Sequence, residues 1–241
     1  MKLDILVFAA HPDDAELTCS GTILHHLQLG YKVGIIDLTR GELGSRGTAK
    51  TRAEECLESS KIMGIHHREN LELPDGFLQN IPEFQHKIIK KIRAFQPQIV
   101  LANAPQDRHT DHSKAASLVR EASFLAGLKK IETYHNGVLQ EAFRPEVVYH
   151  YIQDMYLKPD FVVDISPYWE QKMQAIKAFK TQFFTGENED ENEPTTPVST
   201  PQFMHFLEGR AREMGRTIGV EFGEGFITNR PLGIENLLAI K

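Results

Sequence analysis

The stretch ILVFAAHPDDAE, residues 5–16, decides the fold because it joins an apolar run to a polar turn. Several consecutive apolar residues followed by a turn are typical of a buried strand in a parallel sheet. The turn carries His11, Asp13 and Asp14 directly beyond the carboxyl end of this strand, where open α/β sheets bind their ligands. The sequence therefore places metal-binding or acid/base groups where an active site is expected.

A second polar cluster, HTDH at residues 109–112, follows a second apolar run, IVLAN at residues 99–103. The first cluster alone is also explained as a turn, in which Pro12 fixes its own φ and an aspartate caps the next helix. Two clusters at equivalent positions in separate βα units favour one shared site, because the carboxyl ends of parallel strands meet at one edge of the sheet.

The residue types in these clusters are those of a catalytic metal site. Catalytic zinc takes three protein ligands and leaves one position open for water. His11, Asp14 and His112 fit that count, which leaves Asp13 as a free carboxylate and His109 as a free imidazole. Imidazole and carboxylate also suit iron, manganese and cobalt, so the predicted cofactor is Zn²⁺ or another divalent transition metal ion.

The motifs HPDDAE and HTDH resemble the signature of the LmbE-like, or PIG-L, zinc deacetylases, which remove acetyl groups from N-acetylglucosaminyl compounds. Further segments resemble the branch that deacetylates N-acetylglucosaminyl malate in bacillithiol biosynthesis. These segments are GELGSRGT (41–48), RAEE (52–55), LPDGF (73–77) and EGF (224–226). The resemblance covers most of the chain and implies the LmbE-like deacetylase fold. It also implies a homo-oligomer, and a hexamer is one of the expected arrangements.

The resemblance also implies roles for the residues that match its motifs. Asp13 is expected to be the general base, which takes a proton from water and passes it to the leaving amine. His109 is expected to donate a hydrogen bond to the developing oxyanion, and Asp111 to orient the His109 ring. The zinc ion is expected to lower the pKa of the attacking water.

Arg52 and Arg108 are the predicted substrate-binding residues, because arginine suits bidentate contact with the carboxylates of malate. An ordinary surface salt bridge is the alternative for each.

Two alternative functions stay open. The first is a deacetylase or amidase of the same family that acts on another N-acetylated sugar or a thiol conjugate. The second is a non-catalytic Rossmann-like nucleotide-binding protein. The nucleotide-binding protein requires a Gly-x-Gly-x-x-Gly turn where this chain has HPDD.

Composition predicts one soluble domain over residues 1–241, since 41% of the residues are hydrophobic and 25% are charged. The chain shows neither a signal-peptide layout nor an apolar run long enough for a bilayer, so we expect a cytoplasmic protein without a membrane partner.

Of the net charge of −6, five units come from acidic residues within 187–193. No basic stripe is left for nucleic acid, and the predicted partner is a small-molecule N-acetyl sugar. The acidic, proline-containing segment 184–200 is predicted to be a mobile surface loop, with a lid as the alternative.

Strand and helix patterns alternate along the chain. Such alternation predicts right-handed crossovers and a mainly parallel sheet with helices on both faces, which is an α/β, Rossmann-like three-layer sandwich. The predicted strands are 3–10, 32–39, 68–73, 98–103, 146–152 and 161–165, and the predicted helices are 16–30, 49–64, 80–96, 111–127, 168–182 and 201–215.

Overall fold

The structure is a computed structural model that describes residues 1–186 and 193–239. Its centre is a seven-stranded sheet with the strand order β3-β2-β1-β4-β7-β9-β8, and a two-stranded hairpin, β5-β6, lies outside this sheet. The strands are β1 (Ile5–Ala9), β2 (Val33–Thr39), β3 (His67–Leu73), β4 (Ile99–Ala102), β5 (Tyr134–His135), β6 (Val138–Leu139), β7 (Val147–Tyr151), β8 (Phe161–Asp164) and β9 (Gly223–Thr228). The α-helices are α1 (Asp14–Gln28), α2 (Ala49–Met63), α3 (Pro82–Phe95), α4 (Thr110–Leu125), α5 (Trp169–Lys177) and α6 (Pro201–Thr217).

Strand β1 is buried on both of its faces, as its continuous apolar sequence predicts. Leu6 and Phe8 pack in one hydrophobic cluster with Leu118 of α4, whereas Val7 packs in a second cluster with Ile23 of α1. Successive side chains of a strand point to opposite faces, so one short strand anchors a helical layer on each side of the sheet. The predicted α/β three-layer fold with a mainly parallel sheet is confirmed.

The order of the strands places the ligand-binding edge of the sheet. The chain moves outward from β1 through β2 to β3, and then returns through α3 to β4 on the other side of β1. Both β2 and β4 pair parallel to β1. The crevice between the carboxyl ends of β1 and β4 is therefore the topological switch point, where open α/β sheets bind ligands. Helices α1 and α4 begin at this crevice.

Two features of the fold differ from the prediction. Strand β9 is antiparallel and lies between β7 and β8, and the hairpin β5-β6 is an addition. The β9 sequence GEGFIT contains two glycines and a glutamate, which are poor strand formers. Close packing explains the first glycine, since a Cβ at Gly223 would lie 2.8 Å from the backbone nitrogen of Gly215 in α6. The helix predicted over 168–182 ends earlier, at Lys177.

The predicted mobile segment 184–200 is described only in part. Four of its five acidic residues, within 187–191, lie outside the described residues, so the loop and lid hypotheses stay predictions. None of the helices in the described part of the chain is both long enough and apolar enough to cross a membrane.

Candidate active site

The two polar clusters meet at the switch point. The ring of His11, in the turn after β1, lies 4.5 Å from the ring of His109 and 5.4 Å from the ring of His112, measured between centroids. The rings of His109 and His112 are 5.0 Å apart. Each of the three side chains offers a nitrogen atom, and these atoms all lie within 4.8 Å of one another. The structure thus brings together imidazoles that are about a hundred residues apart in sequence.

Asp14 lies between two of these histidines. Its Oδ2 atom is 3.6 Å from His11 Nδ1, and its Oδ1 atom is 3.4 Å from His112 Nε2. Two amides hold the carboxylate in this position, since Asn103 Nδ2 donates to Oδ2 at 2.9 Å and Gln153 Nε2 donates to Oδ1 at 2.5 Å. The predicted ligands His11, Asp14 and His112 are therefore mutual neighbours. Asn103 directly follows β4, which is a signal in the sequence, whereas the sequence gives no sign of Gln153.

Asp107 holds His112 from the other side. Its Oδ2 atom accepts a hydrogen bond from His112 Nδ1 at 2.7 Å, and the Asp107 side chain is fully buried. Its Oδ1 atom accepts hydrogen bonds from the backbone amides of Arg108 and Met155, at 2.7 and 2.9 Å. Burial lowers the pKa of His112, but the charge of Asp14 and the hydrogen bonds to Asp107 and Asp14 outweigh burial and raise that pKa to about 9. A metal ion held by Nε2 would take the place of the proton that this nitrogen otherwise directs toward Asp14. Asp107 is not among the predicted site residues.

The other ring nitrogen of His11, on the side away from Asp14, faces two other carboxylates. This Nε2 atom is buried without a hydrogen-bond partner among the described residues, and it lies 3.1 Å from Asp75 Oδ1 and 3.5 Å from Asp111 Oδ2. Burial lowers the pKa of His11, but interactions with the carboxylates of Asp111, Asp14 and Asp75 outweigh burial and hold that pKa well above its ordinary value. Positive charge is thus favoured at this point, and imidazole with carboxylate is a donor set that suits zinc and other divalent transition ions.

Asp75 was missed as a site residue, although it lies in the LPDGF segment that the sequence comparison singled out. Together with His11 and Asp111 it forms a second group of side chains whose ligand atoms lie close enough to share an ion. Its Oδ2 atom accepts a hydrogen bond from the backbone amide of Leu43 at 2.8 Å. The loop that contains the GELG sequence is thereby tied to the edge of the site.

Asp13 is held in a strained backbone conformation. It precedes α1 with a φ of 119°, a value that residues other than glycine rarely adopt and that is found mainly at functional sites. Its Oδ2 atom is 3.3 Å from Arg52 Nη1, which also donates to the carbonyl oxygen of Pro12 at 3.0 Å. Burial raises the pKa of Asp13 to about 7, against the opposing charge of Arg52. Such a carboxyl group suits proton transfer near neutral pH.

His109 caps the amino terminus of α4. Its Nδ1 atom accepts a hydrogen bond from the backbone amide of Asp111 at 3.2 Å, so a neutral ring carries its proton on Nε2. Burial and the charges of His11 and His112 lower the pKa of His109, which favours that neutral ring. The Asp111 carboxylate instead accepts a hydrogen bond from the backbone amide of Gly76 at 2.7 Å and faces His11. Asp111 thus contacts the His109 ring through its backbone amide, which donates the capping hydrogen bond, and not through its carboxylate.

A cleft runs from Asp13, Asp14 and His112 to an apolar wall formed largely by α6. The structure places the two predicted substrate-binding arginines differently within it. Arg52 is buried and occupied by Asp13, Pro12 and Gln182. The Arg108 side chain is 58% exposed, and its Nε atom is 2.5 Å from Asp154 Oδ2.

Comparison with known proteins identifies the family. The sequence pattern of the family described as "PIG-L: GlcNAc-PI de-N-acetylase" matches residues 6–123, which include both polar clusters. Diacetylchitobiose deacetylase of Thermococcus kodakarensis is 30% identical over 193 residues, which are 74% of this chain and 70% of that protein. The chain belongs to the PIG-L family. The crystal structure of a conserved protein from Thermus thermophilus is similar to this PIG-L chain over 98% of both chains, with 35% identity and a TM-score of 0.86.

Other relatives of this PIG-L chain differ in the substrates and reactions that their names state. A probable N-acetyl-alpha-D-glucosaminyl L-malate deacetylase 2 of Bacillus anthracis is 23% identical and covers 75% of this chain and 82% of that protein. A 4-oxalmesaconate hydratase of Pseudomonas putida is 26% identical and covers 73% of each. The family and its deacetylase character are confirmed, whereas the bacillithiol branch is one of several that these names represent.

Proposed function

We propose that this PIG-L chain hydrolyses the acetamide of an N-acetylglucosaminyl compound with the help of a divalent ion, predicted to be Zn²⁺, held by His11, Asp14 and His112. The observation that carries the proposal is the placement of Asp14 between His11 and His112 at the switch point. When bound, such an ion supplies a nucleophilic water near neutral pH and polarises the acetamide carbonyl.

The chain's own residues supply the remaining chemistry. Asp13 accepts the proton of the attacking water and then delivers it to the nitrogen of the leaving amine, so that the amide C–N bond breaks without expelling an amide anion. His109 donates a hydrogen bond from Nε2 to the oxygen that gains negative charge. Asp111 positions the site through its carboxylate beside His11 and its amide beside His109.

For the substrate, we propose the glycoside of N-acetylglucosamine with malate. The GELGSRGT and LPDGF segments support this proposal, and Arg108 lines the cleft as a candidate contact for a carboxylate. Arg52 is proposed to act mainly through Asp13, because its guanidinium group already contacts that carboxylate. A neutral N-acetyl sugar is the second candidate, favoured by the identity to diacetylchitobiose deacetylase. The homo-oligomer, the hexamer and the cytoplasmic location stay predictions.

The experiment that tests the reaction is mass-spectrometric detection of deacetylated product. The purified protein is treated with a chelator, reloaded with Zn²⁺, and given N-acetylglucosaminyl malate, methyl N-acetylglucosaminide and diacetylchitobiose in parallel. We expect loss of about 42 mass units, the difference when an acetyl group is replaced by hydrogen, and recovery of activity on reloading. Absence of deacetylation of all three compounds by the reloaded protein would refute the proposed function. Turnover of the neutral compounds alone would replace malate by the second candidate.

Two isosteric variants separate the general base from the ligand. Asp13→Asn is expected to keep the ion and lose about 10²- to 10⁴-fold in kcat, because it removes a proton acceptor. Asp14→Asn is expected to weaken metal binding, because it removes the charge between His11 and His112. Metal affinity is measured by competition with a chromophoric chelator. An Asp13→Asn protein with wild-type turnover would remove Asp13 from its role, and unchanged affinity in Asp14→Asn would remove that residue from the ligand set.

A further inference from the structure

The charged side chains of the cleft are nearly all paired with one another. Among the described residues, the lysine and arginine side chains that line it are Arg52, Arg108, Lys172 and Arg210. Three of them lie next to carboxylates: Arg52 Nη1 is 3.3 Å from Asp13, Arg108 Nε is 2.5 Å from Asp154, and Lys172 Nζ is 2.7 Å from Glu224. Arg210 has no carboxylate at ion-pair distance among the described residues. A substrate anion in the cleft therefore meets Arg210 as the cation whose charge is not already matched.

The surroundings of Arg210 fix its guanidinium group without satisfying it. The group lies over the ring of Phe206, 4.8 Å from the centroid, and its Nη2 atom donates a hydrogen bond to the carbonyl oxygen of Asp154. Its Nη1 atom is buried and has no hydrogen-bond partner among the described residues. Burial lowers the pKa of Arg210, and the charges of Asp154 and Asp107 offset burial only in part. A buried donor without a partner is costly, so a ligand that accepts a hydrogen bond is favoured there.

We propose that Arg210 is a specificity-determining residue, which binds a carboxylate of the aglycone, the part of the substrate attached to the sugar. The proposal rests on the proposed function, since it assigns the recognition of an anionic aglycone to the same cleft that holds Asp13 and Asp14. The planar guanidinium group matches a carboxylate in bidentate geometry, and stacking on Phe206 orders it before the ligand binds. In the sequence GRAREMG, residues 209–215, Arg210 looks like any solvated helical arginine, and only the fold turns it into the cleft.

The test compares two substrates with the same reacting group. The wild type, Arg210→Met, Arg210→Lys and the control Arg212→Met are assayed on N-acetylglucosaminyl malate and on methyl N-acetylglucosaminide. Arg212 is a suitable control because it lies on the same helix but pairs with Glu208 and Glu221. A lost contact to a charged group predicts that Arg210→Met lowers kcat/KM about 10- to 100-fold on the malate glycoside and less than about threefold on the methyl glycoside. Arg210→Lys is expected to retain part of the preference, and Arg212→Met all of it.

The outcomes separate this proposal from the proposed function. Equal losses on both substrates in Arg210→Met would show that Arg210 supports the fold or the catalytic groups, and would overturn the proposal. Unchanged efficiency on the malate glycoside would overturn it as well, while leaving deacetylation intact. If the wild type deacetylates neither compound, the proposed function itself fails. Thermal melting of each variant, followed by circular dichroism, identifies a loss that comes from unfolding.

Discussion

Asp107 offers the sharpest test of how the candidate metal site is built. We expect Asp107→Ala to weaken metal binding without removing any proposed ligand, because it deletes the carboxylate that accepts a hydrogen bond from His112 Nδ1 at 2.7 Å. Both side chains are nearly inaccessible to solvent, so water does not readily replace the lost contact. A hydrogen bond to a charged group contributes about 1.5–3 kcal/mol, which corresponds to roughly 10- to 100-fold in affinity. In other proteins, mutation of residues that orient metal ligands lowers metal affinity or activity by about 10- to 100-fold, in agreement with that range.

The measurement is competition for Zn²⁺ with a chromophoric chelator at fixed pH. Asp107→Asn is expected to fall between wild type and Asp107→Ala, since its amide oxygen can still accept the hydrogen bond from His112 but carries no charge. Asp160→Asn serves as the control. Asp160 also accepts a backbone hydrogen bond, from Thr228 at 2.8 Å, but it is exposed and lies directly before β8. An Asp107→Ala protein that folds and binds Zn²⁺ as tightly as wild type would refute the role of Asp107 in orienting His112.

Three further predictions follow from contacts around the site. Arg52→Ala is expected to lower kcat/KM on charged and neutral N-acetyl sugars alike, because Arg52 contacts Asp13. In kinetic assays, a loss that is confined to the malate glycoside would contradict this expectation. Lys172→Met is expected to lower the free energy of unfolding, measured in urea, by about 3–5 kcal/mol, because it leaves the buried Glu224 carboxylate without its ion-pair partner. The double variant with Lys172→Met and Glu224→Gln should lose less stability than Lys172→Met alone. Equal losses in the two proteins would argue against the ion pair. Burial lowers the pKa of His150 below its ordinary value of 6.5. As the pH falls below about 6.5, the unfolded chain therefore takes up a proton at His150 more readily than the folded protein does, and the free energy of unfolding decreases. His150→Gln should flatten the fall in unfolding free energy between about pH 6.5 and 5, and an unchanged slope would contradict this assignment.

The sequence alone predicted the parallel part of the sheet and the polar residues that lie at its switch point. The run ILVFA and the alternation of strand and helix patterns are local, and the predicted strands and most of the predicted helices form close to where their own sequence indicates. The polar residues of the two clusters were predictable for the same reason, since each follows its strand directly along the chain. The position of β9 was not predictable, because its first half, Gly-Glu-Gly, is a poor strand former. The strand is stabilised by its neighbours, for example through Phe161, which stacks on Phe226 with ring centroids 5.2 Å apart.

Only the tertiary structure decided which side chains support the predicted site residues. Gln153 reaches Asp14 across 139 positions of sequence, and Arg210 enters the cleft from a helix that is otherwise exposed along much of its length. The same holds for Arg52, whose pairing with Asp13 depends on how α2 lies against the turn after β1. Sequence patterns report the local conformation and the side of an element that is buried, but the partner of a buried charge is set by the packing of elements that are distant along the chain.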